Sequence, residues 1–273
     1  TRKEGFEKAL AVLPTGTGKT LLAAFDTEGF QKILFVAHRD EILKQAKKSF
    51  QWVYGSEKTY GDFSGDLKET REDIIFAQVQ TLGKDEYLND KWFAPDAFDY
   101  IVVDEFHHAV NDQYRRIVNY FRPKFLLGLT ATPERMDGRN IYEIFNHQIA
   151  YEIRLQQAME EDILCPFHYF GISDVSLVDE KQLKSRKMTE GDFNLLTGDE
   201  RVRHIIEQAE YYGYSGDRVK GLIFCSRIDE SEELSAKFNA AGYRTIALNG
   251  SASEDERANA FERLAMNEED ATE

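Results

Sequence analysis

The sequence predicts an α/β protein that contains two parallel-sheet domains in tandem, the second of them incomplete. Short apolar runs alternate with amphipathic stretches along the first half of the chain, which is the pattern of a parallel sheet covered by helices on both faces. The same alternation restarts near residue 220, after a polar stretch. We therefore expect a first domain at 1–150, a linker or insertion at 151–200 and a partial second domain at 201–273.

Five apolar runs predict the strands of the first domain, because each is short and has no polar face. They are ALAVL at 9–13, ILFVA at 33–37, IIFAQ at 74–78, YIVVD at 100–104 and FLLGLT at 125–130. Amphipathic stretches at 39–53 and 112–121 predict helices between them. In the second domain, GLIFCS at 221–226 and TIALNG at 245–250 predict strands on either side of a helix at 231–242.

The stretch LPTGTGKT at 13–20 predicts a loop that holds the phosphates of a nucleotide, since it joins a predicted strand to a helical run. Gly16 and Gly18 allow successive backbone N–H groups to point at one anion. Lys19 supplies positive charge for the β- and γ-phosphates, and the Thr20 hydroxyl can ligate Mg²⁺. Leu13 stands where the strict pattern has glycine, and an ordinary strand-to-helix turn is the alternative interpretation.

Two adjacent carboxylates, Asp104 and Glu105, follow a very apolar predicted strand. Carboxylates in such a place are costly to bury unless they bind something. Beside a phosphate loop, Asp104 would hold Mg²⁺ through its water shell and Glu105 would be the general base for water. His107 can bridge to the other half of the site. The alternative is an acidic helix N-cap.

Three motifs in this order resemble motifs I, II and III of superfamily 2 helicases and translocases. They are LPTGTGKT at 13–20, VDEFHH at 103–108 and LTATPER at 129–135, and Asp104 to His107 resembles a DExH box. The residues of these motifs are most similar to those of the branch that contains type III restriction-enzyme motor subunits and XPB-like helicases. The resemblance implies two RecA-like domains, with ATP and Mg²⁺ bound in the cleft and hydrolysis coupled to movement on nucleic acid.

The resemblance also assigns roles to individual residues. It implies that Lys19, Glu105 and His107 are catalytic. It also implies that the hydroxyls of Thr130 and Thr132 couple ATP hydrolysis to movement of the nucleic-acid strand. Thr20 and Asp104 become the metal ligands. The nucleotide-binding residues are Thr15, Gly16, Thr17, Gly18, Lys19 and Thr20. The nucleic-acid-binding residues, from motifs Ia, Ib, IV and the segment after it, are Arg39, Gln80, Thr81, Ser226, Arg227 and Gly250. Solvated helix starts and plain strand-to-helix turns are the alternatives for this last set.

Motifs V and VI of the family have no counterpart here, since no Q-x-x-G-R-x-x-R pattern occurs before Glu273. Motif VI supplies arginines that stabilise the transition-state charge on the γ-phosphate, each worth about 10³–10⁵ in rate. We therefore expect a piece of a larger motor that hydrolyses ATP weakly.

Charge and composition give less specific information. The net charge is −15, and it divides into −3 for residues 1–150 (20 basic, 23 acidic) and −12 for residues 151–273 (14 basic, 26 acidic). This balance lacks the basic footprint of most nucleic-acid-binding proteins, although a local basic groove can act within about 8–10 Å of its own charges. No apolar run approaches the ~20 residues of a membrane span, and two isolated cysteines form no zinc or disulfide framework, so we expect a cytoplasmic protein.

The expected function is therefore an ATP-dependent helicase or translocase on nucleic acid, with DNA favoured over RNA, with no membrane partner, and with a nuclease or other domains on the parent chain. A nucleotide-gated scaffold module of a restriction or repair complex is the main alternative. A small-molecule kinase is a third, and it is disfavoured because a kinase needs neither the Glu105 carboxylate beside Asp104 nor the TATPER stretch.

Overall fold

The computed structural model of the chain describes residues 1–108, 112–133, 141–172, 198–214, 216 and 218–266. Two compact units divide the chain, Thr1–His168 and Tyr169–Glu273. No helix in these described ranges is long and apolar enough to cross a bilayer.

The first unit contains an eight-stranded sheet whose strands run in the order β4-β3-β5-β2-β6-β7-β1-β8. Every pair is parallel except β3 with β4. The five strands predicted for the first domain are all present, and three further strands were not predicted. The bounds are β1 Lys8–Val12, β2 Ile33–Ala37, β3 Tyr60–Ser64, β4 Leu67–Lys68, β5 Ile74–Gln78, β6 Tyr100–Val103, β7 Phe125–Thr130 and β8 Ile149–Glu152.

Five helices accompany the sheet in the described part of the first unit, and both predicted helices are among them. They are α1 Lys19–Asp26, α2 Asp40–Tyr54, α3 Val79–Leu82, α4 Asp112–Tyr120 and α5 Leu155–Glu160. Short 3₁₀ turns lie at Arg2–Glu4, Phe106–His108 and Ile141–Phe145.

Alternate side chains of the strands enter two separate cores, one on each face of the sheet, because successive strand residues point to opposite faces. Leu34 and Val36 of β2 pack in the core that also contains apolar residues of α3 and α4. Ile33 and Phe35 pack in the core that contains residues of α1, α2 and α5. Strands that are apolar on both faces therefore form the layered α/β architecture that the sequence predicts.

Gly128 allows an aromatic ring to lie directly on the middle of β7. A Cβ atom at this position would lie 2.9 Å from Cε2 of Phe145 and closer still to its Cζ atom. The Phe145 ring in turn contacts the ring of Phe106 edge-on, with centroids 4.6 Å apart. Gly128 is paired with Val103 at the end of β6, so this contact supports the strands that carry the acidic pair.

A half-buried polar contact and an arginine stabilise the start of the chain against α1 and the sheet. The Tyr100 hydroxyl donates to Asp26 at the end of α1, and Arg2 Nη2 donates to the other Asp26 oxygen at 2.5 Å. The Arg2 guanidinium lies 5.3–5.8 Å from the ring centroids of Phe30, Tyr100 and Phe125. These contacts tie the start of the chain to the helix that follows the phosphate loop.

The first unit extends beyond the boundary at residue 150 that the sequence predicts. β8 pairs with β1, and the Ile153 N–H donates to the Val12 carbonyl at 2.9 Å. Ala158 of α5 is fully buried in the core beside α1 and α2. Part of the predicted linker therefore belongs to the first unit, while most of its polar stretch lies outside the described residues.

The second unit contains three helices in its described part, α6 Asp199–Tyr212, α7 Ile228–Ala240 and α8 Glu254–Ala265. Val202, Leu234 and Phe238 form a small core between α6 and α7. The strands predicted at 221–226 and 245–250 are not formed in the described part of this unit, because neither segment has a partner strand there. Phe224 is accordingly 92% exposed, where a buried strand was expected.

Candidate functional site

Three neighbouring parallel strands bring the predicted motifs to one edge of the sheet, the edge formed by the carboxyl ends of the strands. The phosphate loop follows β1, Thr130 ends β7 and the acidic pair follows β6, and β7 lies between the other two strands. The Leu13 N–H donates to the Thr130 carbonyl at 2.9 Å, so the start of the loop is bonded to the end of β7. Two strand spacings, roughly 10 Å, separate the loop from the acidic pair, a distance that a lysine side chain can largely cover.

The phosphate loop has the backbone that its glycines predict. Gly16 and Gly18 have φ angles of 91° and 81°, in the left-handed region that favours glycine. The Thr17 hydroxyl donates to the Pro14 carbonyl at 2.8 Å and closes the turn. α1 begins at Lys19, directly after the loop, so the helix N-terminus faces the same place as the loop amides. Thr15, Gly16 and Gly18 are exposed, and Thr20 lies in the first turn of α1.

Lys19 supplies the observation that tests whether a nucleotide fits. Its Nζ atom is buried and makes no hydrogen bond to any residue that the structure describes. A buried ammonium group without a partner is costly, and the γ- and β-phosphates of a nucleotide are the anions that this position would pair with. The residues of the loop therefore fit a triphosphate.

Asp104 is buried and its carboxylate is constrained by its neighbours. Its side chain is 5% exposed, and its Oδ1 atom accepts the Glu105 N–H at 2.8 Å. Burial raises the pKa of the Asp104 carboxyl above its usual range; the Glu105 amide bond opposes this rise, the Glu105 carboxylate adds to it, and Lys19 opposes it again. An acid destabilised in this way is one that a bound cation would stabilise.

Glu105 has a strained backbone, with φ at 50° in a residue that is not glycine. Such conformations cost on the order of 1–3 kcal/mol and cluster at functional sites. Glu105 Oε2 lies 3.1 Å from Nδ1 of His107. The same Nδ1 atom lies 3.2 Å from Oγ1 of Thr130, which also accepts the Thr132 N–H at 3.2 Å. The acidic pair and the predicted coupling threonines are therefore connected through one imidazole ring.

The metal ligands that the sequence predicts, Thr20 and Asp104, provide one hydroxyl and one carboxylate. No group of three or more His, Cys, Asp and Glu side chains suitable for a metal occurs within the described ranges. This donor set fits Mg²⁺, which is usually held by one or two protein oxygens together with substrate phosphates and waters.

Two of the predicted nucleic-acid-binding residues of the first unit follow neighbouring strands of the sheet. Arg39 and Gln80 are exposed and each lies two residues beyond the end of β2 or β5, which are neighbouring strands. Thr81 differs, because its side chain is buried and its hydroxyl donates to Oε1 of Gln78 at 3.2 Å. Its hydroxyl is therefore bonded to the residue that precedes α3 rather than presented at the surface.

In the second unit, two of the residues predicted to contact nucleic acid are hydrogen-bonded to acidic side chains. The N–H and hydroxyl groups of Ser226 donate to Oε2 of Glu230, at 3.1 and 3.0 Å. Arg227 Nε donates to Oδ1 of Asp229 at 2.9 Å. Gly250 is exposed.

Sequence reasoning missed two features of these loops. The first is the bonding of Glu230, in the first turn of α7, to Ser226, which precedes the helix. Its position three residues after the Arg227 N-cap is one from which a glutamate can reach back to the start of a helix, so the sequence did contain a signal. Leu164 packs against the phosphate loop, 3.1 Å from where a Cβ atom of Gly16 would lie, and nothing in the local sequence pattern indicated it.

Comparison with known proteins agrees with this geometry. The family model described as the type III restriction enzyme, res subunit (ResIII) matches residues 1–135, which include the loop and the acidic pair. Residues 1–135 are therefore similar to a ResIII domain. The ResIII domain thus coincides with most of the sheet-bearing unit.

Relatives of this chain include a restriction-enzyme subunit and a translocase. It is 27% identical over 255 residues to the type I restriction enzyme EcoAI endonuclease subunit of Escherichia coli, covering 84% of this chain and 31% of the relative. It is 28% identical over 159 residues to the DNA 3'-5' translocase XPB2 of Sulfurisphaera tokodaii, covering 55% of this chain and 33% of the relative. The chain thus spans about a third of the length of these relatives.

A solved structure shares the fold. A fragment described as an HsdR subunit of a type I restriction enzyme from Vibrio vulnificus YJ016 matches with a TM-score of 0.55 and 23% identity, covering 88% of this chain and 42% of that one. This likeness supports the mixed α/β assignment of the fold.

Proposed function

We propose that this protein binds ATP with Mg²⁺ and uses its hydrolysis to move along nucleic acid, as a helicase or translocase. One observation carries the proposal. The buried Lys19 ammonium, which makes no hydrogen bond to the described residues, shares an edge of the sheet with the Asp104–Glu105 pair, and that pair is linked through His107 to Thr130.

The residues of the first unit divide the chemistry among them. The loop amides and Lys19 hold the β- and γ-phosphates, while Thr20 and Asp104 hold the metal. Mg²⁺, when bound, neutralises charge that develops on the phosphoryl oxygens. Glu105 accepts the proton of the attacking water, and His107 holds the Glu105 carboxylate in place through the 3.1 Å contact.

Coupling to movement follows from the same contacts. The Thr130 carbonyl is bonded to the loop and its hydroxyl is bonded to His107. Loss of the γ-phosphate would therefore affect the end of β7 through both hydrogen bonds. Arg39 and Gln80, exposed along the same edge, would contact the backbone of the nucleic acid. Binding through phosphate oxygens is independent of sequence and weakens steeply with salt.

DNA is the favoured substrate, and a nuclease or a further subunit is the favoured partner. The support is the names of two relatives, one a DNA translocase and the other a restriction endonuclease subunit. Because the chain spans about a third of each, the activity of the whole protein is part of this proposal.

The experiment is an ATPase assay with single-stranded DNA, duplex DNA and RNA in turn, at several salt concentrations. Glu105→Gln should keep nucleotide binding and lose turnover by at least about 100-fold, the scale of a general base. Glu57→Gln, at an exposed site outside the sheet edge, is the matched control and should retain full turnover. Nucleotide binding with no stimulation by any nucleic acid would instead favour the nucleotide-gated scaffold.

A further inference from the structure

Tyr114 lies behind the acidic pair, in the first turn of α4. Its side chain is 2% exposed and packs in the same core as Val103 and Phe106, the residues that flank Asp104 and Glu105 in the chain. The acidic pair is therefore bordered on its inner side by the core that contains this tyrosine.

The Tyr114 hydroxyl is buried and has no hydrogen-bond partner among the residues that the structure describes. A buried hydroxyl without a partner destabilises a folded protein, so phenylalanine would fill the same space at least as well. Phe106 and Phe145 fill neighbouring parts of this core without a polar atom. Packing alone therefore does not account for the oxygen of Tyr114.

The charges near the Tyr114 hydroxyl favour its acting as a hydrogen-bond donor. Burial, followed by the Asp104 and Glu105 carboxylates, raises the pKa of Tyr114 above its usual range, so its hydroxyl keeps its proton. Among the described residues, the Glu105 N–H is the donor to Asp104, and it bonds to Oδ1. The second oxygen, Oδ2, is left for another donor.

We propose that Tyr114 is a positioning residue of the acidic pair, and that its hydroxyl donates to the Asp104 carboxylate when the site holds nucleotide and metal. This inference rests on the proposed function, because it requires Asp104 to hold the metal. The hydroxyl, which has no partner among the described residues, would then gain one when nucleotide and metal bind, so it favours the loaded state.

The test compares Tyr114→Phe with Tyr120→Phe. Tyr120 is on the same helix, and its hydroxyl donates to the Phe93 carbonyl at 2.6 Å, away from the acidic pair. The measurements are the thermal midpoint of the ligand-free protein and the affinity for a fluorescent ATP analogue, in EDTA and across a Mg²⁺ titration.

We expect Tyr114→Phe to leave the ligand-free midpoint unchanged or higher, to leave affinity in EDTA unchanged, and to reduce the Mg²⁺-dependent gain in affinity about tenfold, the scale of one hydrogen bond to a charged group. Tyr120→Phe should lower the midpoint and keep the Mg²⁺ dependence.

A lower midpoint for Tyr114→Phe with an unchanged Mg²⁺ titration overturns the inference, since the hydroxyl is then structural. If Tyr114→Phe lowers both the thermal midpoint and the Mg²⁺-dependent gain in affinity, Ile117→Val separates loss of packing from loss of the hydroxyl. This variant loosens the same core one turn along α4 without removing an oxygen. An equal loss of Mg²⁺ dependence in Ile117→Val overturns the inference, and a normal titration there supports it. A wild-type protein that binds no nucleotide would overturn the proposed function instead.

Discussion

Nδ1 of His107 lies 3.2 Å from Oγ1 of Thr130, and 3.1 Å from Oε2 of Glu105. One ring nitrogen thus contacts both the proposed general base and the first of the two proposed coupling threonines. With the proton on Nδ1, the imidazole donates to the carboxylate and the Thr130 hydroxyl remains able to donate elsewhere. The state of the acidic pair can therefore be transmitted to the end of β7 by a change of hydrogen-bond partner.

The first prediction is that His107 and Thr130 act as a unit. Thr130→Val and His107→Ala should each reduce nucleic-acid stimulation of the ATPase about tenfold, and the double variant should lose little more, because contacting residues are not additive. Thr27→Val, at another fully buried threonine, should change stability and leave stimulation intact. Fully additive losses in the double-mutant cycle would contradict this prediction.

Lys19→Ala should weaken nucleotide binding and leave the ligand-free fold intact. The Nζ atom makes no hydrogen bond to the described residues, so its removal costs the empty protein little. Loss of a charge-assisted contact should reduce ATP affinity roughly ten- to hundredfold, measured by titration calorimetry. Lys48→Ala, an exposed lysine on α2, should bind as the wild type does. Equal affinity in the two variants would show that Lys19 does not hold the phosphates.

Asp99 should contribute to stability at neutral pH and lose that contribution in acid. Its carboxylate accepts the N–H groups of Gln31 and Lys32 and lies 2.8 Å from Lys124 Nζ. The Lys124 contact, followed by the Lys32 N–H bond, holds the pKa of Asp99 below its usual range. A lowered folded-state pKa means that the stabilisation is present above the unfolded-state value and is lost as pH falls through the folded-state value.

Asp99→Asn should therefore reduce the free energy of unfolding at pH 7 by about 1 kcal/mol, and the deficit should shrink below pH ~4. Urea unfolding at pH 7, 5 and 3 measures both quantities. Asp96→Asn, exposed in the same loop, is the control and should match the wild type throughout. A deficit for Asp99→Asn that does not change with pH would mean that its charge is not involved.

Gly128→Ala should be strongly destabilising, because the added methyl group would overlap the Phe145 ring. Overpacking of this kind costs about 1–3 kcal/mol, measured as a shift in the urea midpoint. Adding Phe145→Leu to Gly128→Ala should recover part of the loss, since the smaller side chain leaves room. Gly221→Ala, where no atom lies within 4 Å, should have little effect. Absence of recovery in the double variant would place the strain elsewhere.

Local patterns were sufficient to predict the central part of the sheet and the placing of the 13–20 loop and the acidic pair at one end of its strands. The five central strands are apolar on both faces, which is a signal contained within each segment. The phosphate loop and the acidic pair come together because both follow parallel strands, and the carboxyl ends of such strands meet at one edge. Lys19, Asp104 and Glu105 are therefore near one another for a reason that the sequence carries.

Contacts between distant segments were not predictable in this way. β8 forms because a segment near residue 150 pairs with β1, and Gly128 is required by a ring 17 positions later in the chain. In the second unit, the pattern at 221–226 predicts a strand, but a strand exists only where another strand supplies hydrogen bonds. The engagement of Ser226 by Glu230 likewise depends on side-chain rotamers that a pattern does not specify.

The left-handed backbone of Glu105 has a consequence for laboratory evolution. Glycine and asparagine adopt that conformation more readily than glutamate, so the residue present is unfavourable for folding alone. A mutant library sorted only for yield or heat resistance should drift toward glycine or asparagine at position 105. A library sorted for turnover should retain glutamate, so sequencing the two pools would separate selection on chemistry from selection on fold.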